Sequence, residues 1–480
     1  MKNLWNEAEA AKAESGLDLR AYSSRLIGRD PALVLHGGGN TSYKGTAKDR
    51  FGASKNVIWV KASGYDLGAM GVEGFTALEL PAVLALAELE SLADGDMVDE
   101  VKRARLDPHA AAASIEAIVH ALVPATYVDH SHADGVLTIS NSVNGTALLH
   151  EIYGPRVMIL PYVKPGFDLA RQMREAIVSS RFADVDAIIL EHHGVFTWGE
   201  TARESYDRMI AICTRAEEWL SEHVPPLPEA GDTQTDPVAI ADLRGRVSRI
   251  AGRAMLSRPA TAVPVKEVKE IGRLSRNGTL TPEHVIHNKP FPVVVGEDVE
   301  QALEQFASEY RAYVERGNDD DLLPMPPHPH WAILSDGSVR SFGPMLARAD
   351  VSADVAVANL QALRRAAHLG GWQGLDEDDL RALEYWELEQ AKLRAQGTPP
   401  PLAGKVAVIG GCATGIGRAA AEALHERGAV VVGLDINPAV EDFMSRPDFC
   451  GFTVDLTDEA SVTDALKQTV FDFGGLDILV

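Results

Sequence analysis

The chain has 480 residues, 46% of them hydrophobic and 24% charged, which is long enough for two or three soluble globular domains. Its 45 basic and 69 acidic residues give a net charge of −24, which disfavours nucleic acid and anionic membrane surfaces as partners. The chain has three widely spaced cysteines, mixed and acidic N-terminal residues unlike those expected of a signal peptide, and no apolar run of the roughly 20 residues that span a bilayer. These features predict a cytoplasmic protein.

The first region, 20–222, alternates short apolar strands with amphipathic helices, which predicts an α/β domain. Strands are expected at 57–61, 136–140, 157–160 and 185–190. Helices are expected at 76–91, 110–122, 168–180 and 201–222, the last with Thr201 as its N-cap. A stretch rich in Pro and Asp at 224–237 closes this domain.

The middle region, 238–395, is a helical and mixed segment with an expected strand at 331–334. Its helical runs lie at 238–256, 297–316, 351–369 and 376–395. Residues 194–199 and 337–343 are similar, because each segment follows an apolar strand and precedes an Ala-rich helix. If this is an internal repeat, the middle region is a degenerate copy. It would have Ser335-Asp336 in place of His192-His193.

After a proline-rich linker, residues 403–480 predict the first half of a Rossmann fold. Strands are expected at 405–410, 429–435 and 449–454, and helices at 416–427 and 459–473. Gly411, Gly415 and Gly417 lie between the first strand and its helix, where glycine lets a pyrophosphate approach the backbone. Asp435 ends the second strand, and an acid there favours a ribose 2′-hydroxyl, hence NAD over NADP.

Two histidine groups each follow a β-prone run. His130 and His132 are two residues apart, so a strand would place both imidazoles on one face. A third imidazole from the His192-His193 pair would complete a zinc site with an open position, as in catalytic metal sites. Glu116 is a candidate carboxylate, and metal plus carboxylate suggests proton abstraction beside a carbonyl.

Histidine spacing alone is weak support, since most histidines are not ligands. His328 and His330 have the same spacing but lie in a proline-rich turn, and His284 and His287 lie three apart near Pro282, where they could share a helical turn. We expect neither pair to bind metal. The glycines at 37–39, taken alone, would equally fit a plain flexible turn.

Five separated motifs together resemble the class II aldolase/adducin family over about residues 20–222. They are Leu35–Ser42, Lys61–Gly64, Ser114–Glu116, His130-x-His132 and His193-Gly194. Within that family the chain is similar to the aldolases of L-rhamnulose 1-phosphate and L-fuculose 1-phosphate.

The resemblance implies a role for each matched position. It implies metal ligands at His130, His132 and His193, a catalytic carboxylate at Glu116, and phosphate-binding residues Asn40, Ser63, Gly64 and Ser114. Two departures are Ala113, where the family often has Pro, and His192, where Asn or Gly is common. Because His192 and His193 are adjacent, the third ligand stays open, with the family pattern favouring His193.

The C-terminal region resembles the short-chain dehydrogenase/reductase family. The resemblance implies NAD contacts at Gly411, Gly415, Ile416, Gly417 and Asp435, and adenine-side contacts at Asp455 and Leu456. One departure is Gly410, where that family usually has Thr. The catalytic Ser and Tyr-x-x-x-Lys of that family are not in the sequence. We therefore expect the sequence to be cut from a longer bifunctional aldolase/dehydrogenase.

The expected function is zinc-dependent cleavage of a phosphorylated ketose, L-rhamnulose 1-phosphate, to dihydroxyacetone phosphate and L-lactaldehyde. Another divalent metal could take the place of zinc. In the whole protein an NAD-dependent dehydrogenase would oxidise the aldehyde. The alternatives are another sugar-phosphate aldolase, an epimerase of the same family, or an adducin-like scaffold without catalysis. The resemblance also implies a homo-oligomer.

Overall fold

The computed structural model describes every residue except 180–181, 228–234, 261–264, 318–322, 395–396 and 444–445. Two compact units are present. The first comprises Met1–Pro226, Leu280–Glu283 and Ala362–Leu388. The second comprises Leu227–Thr279, His284–Gln361 and Glu389–Val480.

A mixed sheet organises the first unit. Its strands in chain order are β1 Asn40–Lys48, β2 Ser54–Lys61, β3 Phe75–Glu79, β4 Tyr127–Ser131, β5 Val157–Leu160, β6 Ala187–Leu190 and β7 Gly194–Gly199. They lie in the order β3-β2-β1-β4-β7-β6-β5, and all neighbours are antiparallel except β5 and β6.

Helices cover both faces of this sheet. They are α1 Glu7–Ala10, α2 Gly16–Gly28, α3 Leu80–Leu86, α4 Asp94–Arg103, α5 Ala117–Leu122, α6 Asp134–Ser140, α7 Gly145–Tyr153, α8 Phe167–Val178 and α9 Ala202–His223. Strand β6 shows the layering, because Ile188 and Leu190 belong to one apolar core while Ala187 and Ile189 belong to another. The α/β/α expectation is confirmed.

Further along the chain come two four-stranded sheets. Their strands are β8 Leu256–Pro259, β9 Val293–Val295, β10 Trp331–Leu334, β11 Val339–Gly343, β12 Val406–Gly410, β13 Val430–Asp435, β14 Phe449–Thr453 and β15 Ile478–Leu479. One sheet has the order β8-β11-β10-β9. The other, β14-β13-β12-β15, is parallel throughout, as a Rossmann fold requires.

Helices lie before and between most of these strands. They are α10 Pro237–Ala251, α11 Val268–Leu274, α12 Pro282–Asn288, α13 Val299–Glu315, α14 Leu346–Ala367, α15 Glu377–Glu384, α16 Glu387–Arg394, α17 Gly415–Glu426 and α18 Glu459–Phe473. Within the described residues, no helix has both the length and the apolar character that crossing a membrane would require.

The sheet β8–β11 has the same pairing pattern as β4–β7. β7 pairs antiparallel with β4 and β6, and β11 pairs antiparallel with β8 and β10. On their other sides, β6 pairs in parallel with β5, and β10 pairs in parallel with β9. A helix of 22 residues follows in both cases, α9 and α14. Oγ1 of Thr197 donates to the carbonyl of Ser205 at 3.1 Å, and Oγ of Ser341 donates to that of Ala349 at 2.7 Å. The two donors are separated by the same number of residues along the chain as the two acceptors, an offset that relates the two segments.

That offset corrects the expected alignment of the two segments by one residue. The N–H of His193 donates to the carbonyl of Leu190 at 3.1 Å, and that of Gly337 donates to Leu334 at 2.9 Å. Asp336-Gly337, rather than Ser335-Asp336, therefore corresponds to His192-His193.

Other expectations for single elements were wrong. Residues 136–140 form part of α6 instead of a strand, because a short run that is buried on all sides has no periodicity to distinguish the two. The helix expected at 76–91 is β3 followed by α3, and the helix expected at 110–122 begins only at Ala117. No strand was expected at β1, whose sequence is largely polar.

Candidate functional site

Three histidines meet where β4 ends and the β6–β7 turn closes. His130 lies in β4, His132 follows it directly, and His193 immediately precedes β7. All three are buried, and one ligand atom from each lies within 4.8 Å of the others. In the part of the chain that the structure describes, no other three His, Cys, Asp or Glu side chains form such a group.

A buried ion pair holds β4 from the opposite face. Nη2 of Arg20 in α2 lies 2.6 Å from Oδ1 of Asp129, and neither side chain is exposed. Oγ of Ser205 in α9 donates to Oδ2 of the same carboxylate at 2.6 Å. Because Asp129 immediately precedes His130 and strand side chains alternate, the two side chains point to opposite faces. The strand that carries the ligands is therefore tied to two helices.

Hydrogen bonds of the rings indicate which nitrogens face each other. Nδ1 of His130 donates to the carbonyl of Val195 at 3.1 Å, and Nδ1 of His132 lies 3.2 Å from Oε2 of Glu283. The Nε2 atoms of these two histidines are 3.1 Å apart. With both protons on Nδ1, two lone pairs face each other, an arrangement that a shared cation stabilises. The donor set fits a zinc-like divalent metal.

Glu116 lies against the same rings, just before α5. Its Oε2 is 3.5 Å from Nε2 of His130, and its Oε1 is 3.5 Å from Nε2 of His193. Nδ2 of Asn40 donates to Oε2 at 2.6 Å and to Oγ of Ser114 at 3.1 Å. Within the described residues, the buried Oε1 accepts no hydrogen bond. A carboxylate oxygen left unpaired beside three imidazoles is a second indication that the site suits a cation.

The other predicted phosphate-binding residues lie at the end of β2. Ser63 and Gly64 are exposed, the N–H of Ser63 donates to Ala112 at 2.7 Å, and Gly64 has a φ of 82°. Nζ of the buried Lys61 donates to the carbonyl of Gly37 at 2.7 Å. This bond joins the Gly-rich loop, residues 37–39, to the turn that carries Ser63 and Gly64.

Burial controls the protonation of the site. It lowers the pKa of His130 well below its ordinary range and that of His193 to about 3. Burial also acts to lower the pKa of His132, but the carboxylate of Glu283 raises it above the ordinary value. Burial lowers the pKa of Lys61. His130 and His193 are therefore neutral, the form in which imidazole binds a metal.

His192 stays outside the group. Its N–H donates to Oγ of Ser140 at 2.9 Å, and its Nδ1 pairs with Oδ1 of Asn141. Its φ of 59° lies in the left-handed region, which costs a non-glycine residue about 1 kcal/mol. The structure therefore brings His193, rather than its neighbour, to His130 and His132.

The two histidine pairs that were not expected to bind metal make packing contacts within the second unit. The rings of His328 and His330 are 5.1 Å apart, and Nδ1 of His330 pairs with the carbonyl of His287. Nδ1 of His284 pairs with Oδ1 of Asn359 at 3.0 Å. Among the described residues, neither pair belongs to a group of three metal-ligating side chains.

Two residues of the site, His120 and Glu283, have roles that the sequence alone did not indicate. His120 pairs through Nδ1 with Oγ of Ser42 at 2.8 Å and through Nε2 with Oδ1 of Asn40, and so orients the amide that contacts Glu116. Its position four residues after Glu116 was a weak local signal. Glu283 is far along the chain from His132, and no local pattern could have connected them.

The glycine-rich turn after β12 has the geometry of a dinucleotide site. Gly411 and Gly415 have φ values of 65° and 59°, and among the described residues nothing lies within 4 Å of where their Cβ atoms would be. A Cβ on Gly417 would lie 2.2 Å from the carbonyl oxygen of Gly411. Oδ2 of Asp435 accepts from the N–H of Ala413 at 2.9 Å. The turn leaves space for a pyrophosphate at the start of α17.

The remaining predicted cofactor residues lie near this turn. Ile416 is 89% exposed, and Leu456 is 52% exposed with its Cδ1 3.0 Å from a Cβ placed on Gly410. Oδ1 of Asp455 accepts from the backbone N–H and the hydroxyl of Thr457. Ile416 and Leu456 are therefore open to solvent, whereas Oδ1 of Asp455 is used within its own turn.

Three family profiles match successive parts of the chain. Residues 19–220 match the class II aldolase and adducin N-terminal domain, and residues 234–393 match the aldolase class II second domain. Residues 405–480 match the short chain dehydrogenase family.

Individual proteins are similar to parts of this chain. The N-terminal class II aldolase domain of a conserved protein from Thermoplasma acidophilum is 40% identical, with a TM-score of 0.43, and the match covers 46% of this chain and 99% of that one. The 3-oxoacyl-[acyl-carrier-protein] reductase FabG of Escherichia coli (strain K12) is 38% identical over 81 residues, 16% of this chain. The chain spans 33% of the length of that reductase.

One relative matches along the whole chain. The uncharacterized oxidoreductase YuxG of Bacillus subtilis (strain 168) is 30% identical, and the match covers 100% of this chain and 74% of YuxG. The chain belongs to the same family as YuxG, with class II aldolase spans followed by a short-chain dehydrogenase span.

Proposed function

We propose that the first unit is a metal-dependent aldolase that cleaves a ketose 1-phosphate, L-rhamnulose 1-phosphate, to dihydroxyacetone phosphate and L-lactaldehyde. His130, His132 and His193 would hold zinc or another divalent metal. The observation that carries the proposal is the position of Oε1 of Glu116, which accepts no hydrogen bond from the described residues and lies 3.5 Å from Nε2 of His193 within the group of three buried imidazoles. A carboxylate in that place can transfer a proton beside the metal.

When bound, the metal supplies a Lewis acid for the negative charge that develops on the substrate oxygens. Cleavage breaks the C3–C4 bond, removes a proton from the C4 hydroxyl and returns one to C3. Glu116 is the candidate for this proton transfer. Asn40, itself held by His120, donates to Oε2 and so orients Oε1 towards the imidazoles.

The substrate phosphate is assigned to the turn after β2 and the segment before α5. Gly64, in its left-handed conformation, offers an exposed N–H, and Ser63 and Ser114 offer hydroxyl groups. Backbone N–H groups and hydroxyls bind a phosphate without a basic surface, which suits a chain of net charge −24.

The test is release of dihydroxyacetone phosphate from L-rhamnulose 1-phosphate by the zinc-loaded protein. Wild type should release it, and His130→Ala should not. Undiminished cleavage by that variant would refute the proposal. L-fuculose 1-phosphate and a pentulose phosphate in parallel assays distinguish another aldolase or an epimerase. Less than one zinc per chain in purified wild type would favour a non-catalytic scaffold.

For the C-terminal span we propose NAD binding, with the glycine-rich turn holding the pyrophosphate and Asp435 the ribose. Ile416, Asp455 and Leu456 would contact the nucleotide, and in the whole protein this domain would oxidise the aldehyde product. Asp435→Ser should weaken binding of NAD relative to NADP, as a fluorescence titration with both would show. An unchanged preference would remove Asp435 from the cofactor site.

We further propose that the protein acts in the cytoplasm as a homo-oligomer. The three cysteines are free thiols, which suits a reducing compartment. Light scattering of the purified protein gives its mass in solution, and a monomer would contradict the second point.

A further inference from the structure

We infer that Glu283 is a positioning residue for the metal centre, so that the span matched by the second-domain profile supplies part of the aldolase site. This inference rests on the proposed metal-binding function. Glu283 lies inside residues 234–393, yet the segment Leu280–Glu283 belongs to the first unit. Its carboxylate, 45% exposed, reaches Nδ1 of His132 with Oε2 at 3.2 Å.

The contact has the form of a carboxylate–histidine–metal relay. Nε2 of His132 faces Nε2 of His130, so Nδ1 is the nitrogen left for an outer partner. A carboxylate there fixes the orientation of the ring and makes its other nitrogen a stronger ligand. Among the three histidines only His132 has a carboxylate on Nδ1, since His130 uses the carbonyl of Val195. Nδ1 of His193 has no hydrogen-bond partner among the described residues.

The Gly-rich loop makes room for this carboxylate. A Cβ on Gly38 would lie 2.9 Å from the carbonyl oxygen of Leu35, 3.0 Å from Oε2 of Glu283 and 3.4 Å from Nδ1 of His132. Glycine at this place accommodates both the backbone of its own loop and the approach of Glu283. The adjacent Gly37 is bonded to Lys61, whose positive charge acts on the same carboxylate. The Gly-rich loop, Lys61 and Glu283 therefore lie together beside the ring of His132.

Leu280–Glu283 is tied to the first unit by a second contact as well. Nδ2 of the buried Asn141 donates to the carbonyl of Leu280 at 2.9 Å. Oδ1 of Asn141 pairs with His192, the residue before the third ligand. The segment therefore lies beside His132 through Glu283 and next to the residue before His193 through Asn141.

The inference is tested by zinc affinity, measured by competition with a chelator, on the whole chain. Glu283→Gln keeps the volume of the side chain and removes its charge. Loss of an outer partner of this kind weakens metal binding by about 10–100-fold. Glu270→Gln, an exposed glutamate in the same matched span, is the matched control and should bind zinc like wild type. The absorption spectrum of the cobalt-substituted protein should change only in Glu283→Gln.

The possible outcomes separate this inference from the proposed function. Wild type that binds no zinc would refute the metal centre itself. Wild type that binds zinc, with Glu283→Gln within twofold of it, would refute only the role of Glu283. Because thermal unfolding of the metal-free variants reports a purely structural role, a lower midpoint with unchanged zinc affinity would also refute it.

Discussion

The β6–β7–α9 and β10–β11–α14 segments share strand pairing, helix length and one hydroxyl-to-carbonyl bond, but only the first carries a metal-type site. At the turn between their strands, the first has His192-His193 and the second has Asp336-Gly337. In both, the N–H of the second of these residues, His193 or Gly337, donates to the carbonyl of the last residue of the preceding strand. The backbone is therefore shared, and the chemistry depends on the side chains placed at the turn.

The neighbouring strands show the same contrast. β4 pairs with β7 and carries His130, whereas β8 pairs with β11 and has Pro259 at the corresponding register. Proline has no imidazole to contribute and, in an edge strand, no N–H is required of it. We propose that the middle region is a copy of the first that has kept the scaffold and lost the ligands.

The largest effect is expected from His193→Ala, which makes the first turn as ligand-free as the second. Loss of the metal removes several kcal/mol of transition-state stabilisation, so cleavage should fall by about a thousandfold or more. Zinc per chain, measured on the purified variant, should fall to near zero. His192→Ala is the matched control and should keep zinc. If His192→Ala loses zinc and His193→Ala does not, the ligand assignment is reversed.

Glu116→Gln should separate metal binding from proton transfer. The amide cannot accept a proton, so cleavage should fall by about 10²–10⁴-fold while zinc remains bound. The measurement is steady-state cleavage together with metal content. Activity close to wild type would exclude Glu116 as the proton-transfer group.

Acid should destabilise the second unit through its own H-x-H pair. Burial, then the charge of Lys289, lowers the pKa of His328 to about 3 from 6.5. The unfolded chain therefore binds more protons than the folded one between those values, and stability falls as pH drops from 6.5 to 3. The slope is up to about 1.4 kcal/mol per pH unit for this residue. Denaturant unfolding across pH should show a shallower dependence in His328→Gln, and an identical slope would contradict the burial argument.

The smallest effect concerns the hydroxyl that both segments share. Thr197→Val and Ser341→Ala each remove the donor to a carbonyl at the start of the following helix. Each should lower the free energy of unfolding by about 1–2 kcal/mol. Similar losses in denaturant unfolding would support equivalent positions, whereas a loss at only one site would weaken the comparison.

Local patterns predicted much of the fold and the metal-type group. The His130–His132 spacing and the strand before it placed two imidazoles on one face, whereas the choice of His193 over His192 came from the family resemblance. The parallel sheet of the C-terminal span followed from alternating strands and helices and the position of Gly411.

Features that depend on contacts between residues far apart in the sequence could not be predicted from local patterns. Strand β1 is polar and is ordered by pairing with β2 and β4 on either side. α6 is buried all round, so its helical period is hidden. Glu283 reaches His132 only because of the tertiary fold, and the left-handed backbone of His192 is held by Ser140 and Asn141.

The Arg20–Asp129 pair has a consequence for the specificity of folding. A slip of β4 by one residue against β1 or β7 would exchange the faces of Asp129 and His130. The carboxylate would then be buried without its guanidinium, at a cost of about 3–5 kcal/mol. An error in strand register is thus penalised before any metal binds, and the two histidines reach the same place in every correctly folded copy.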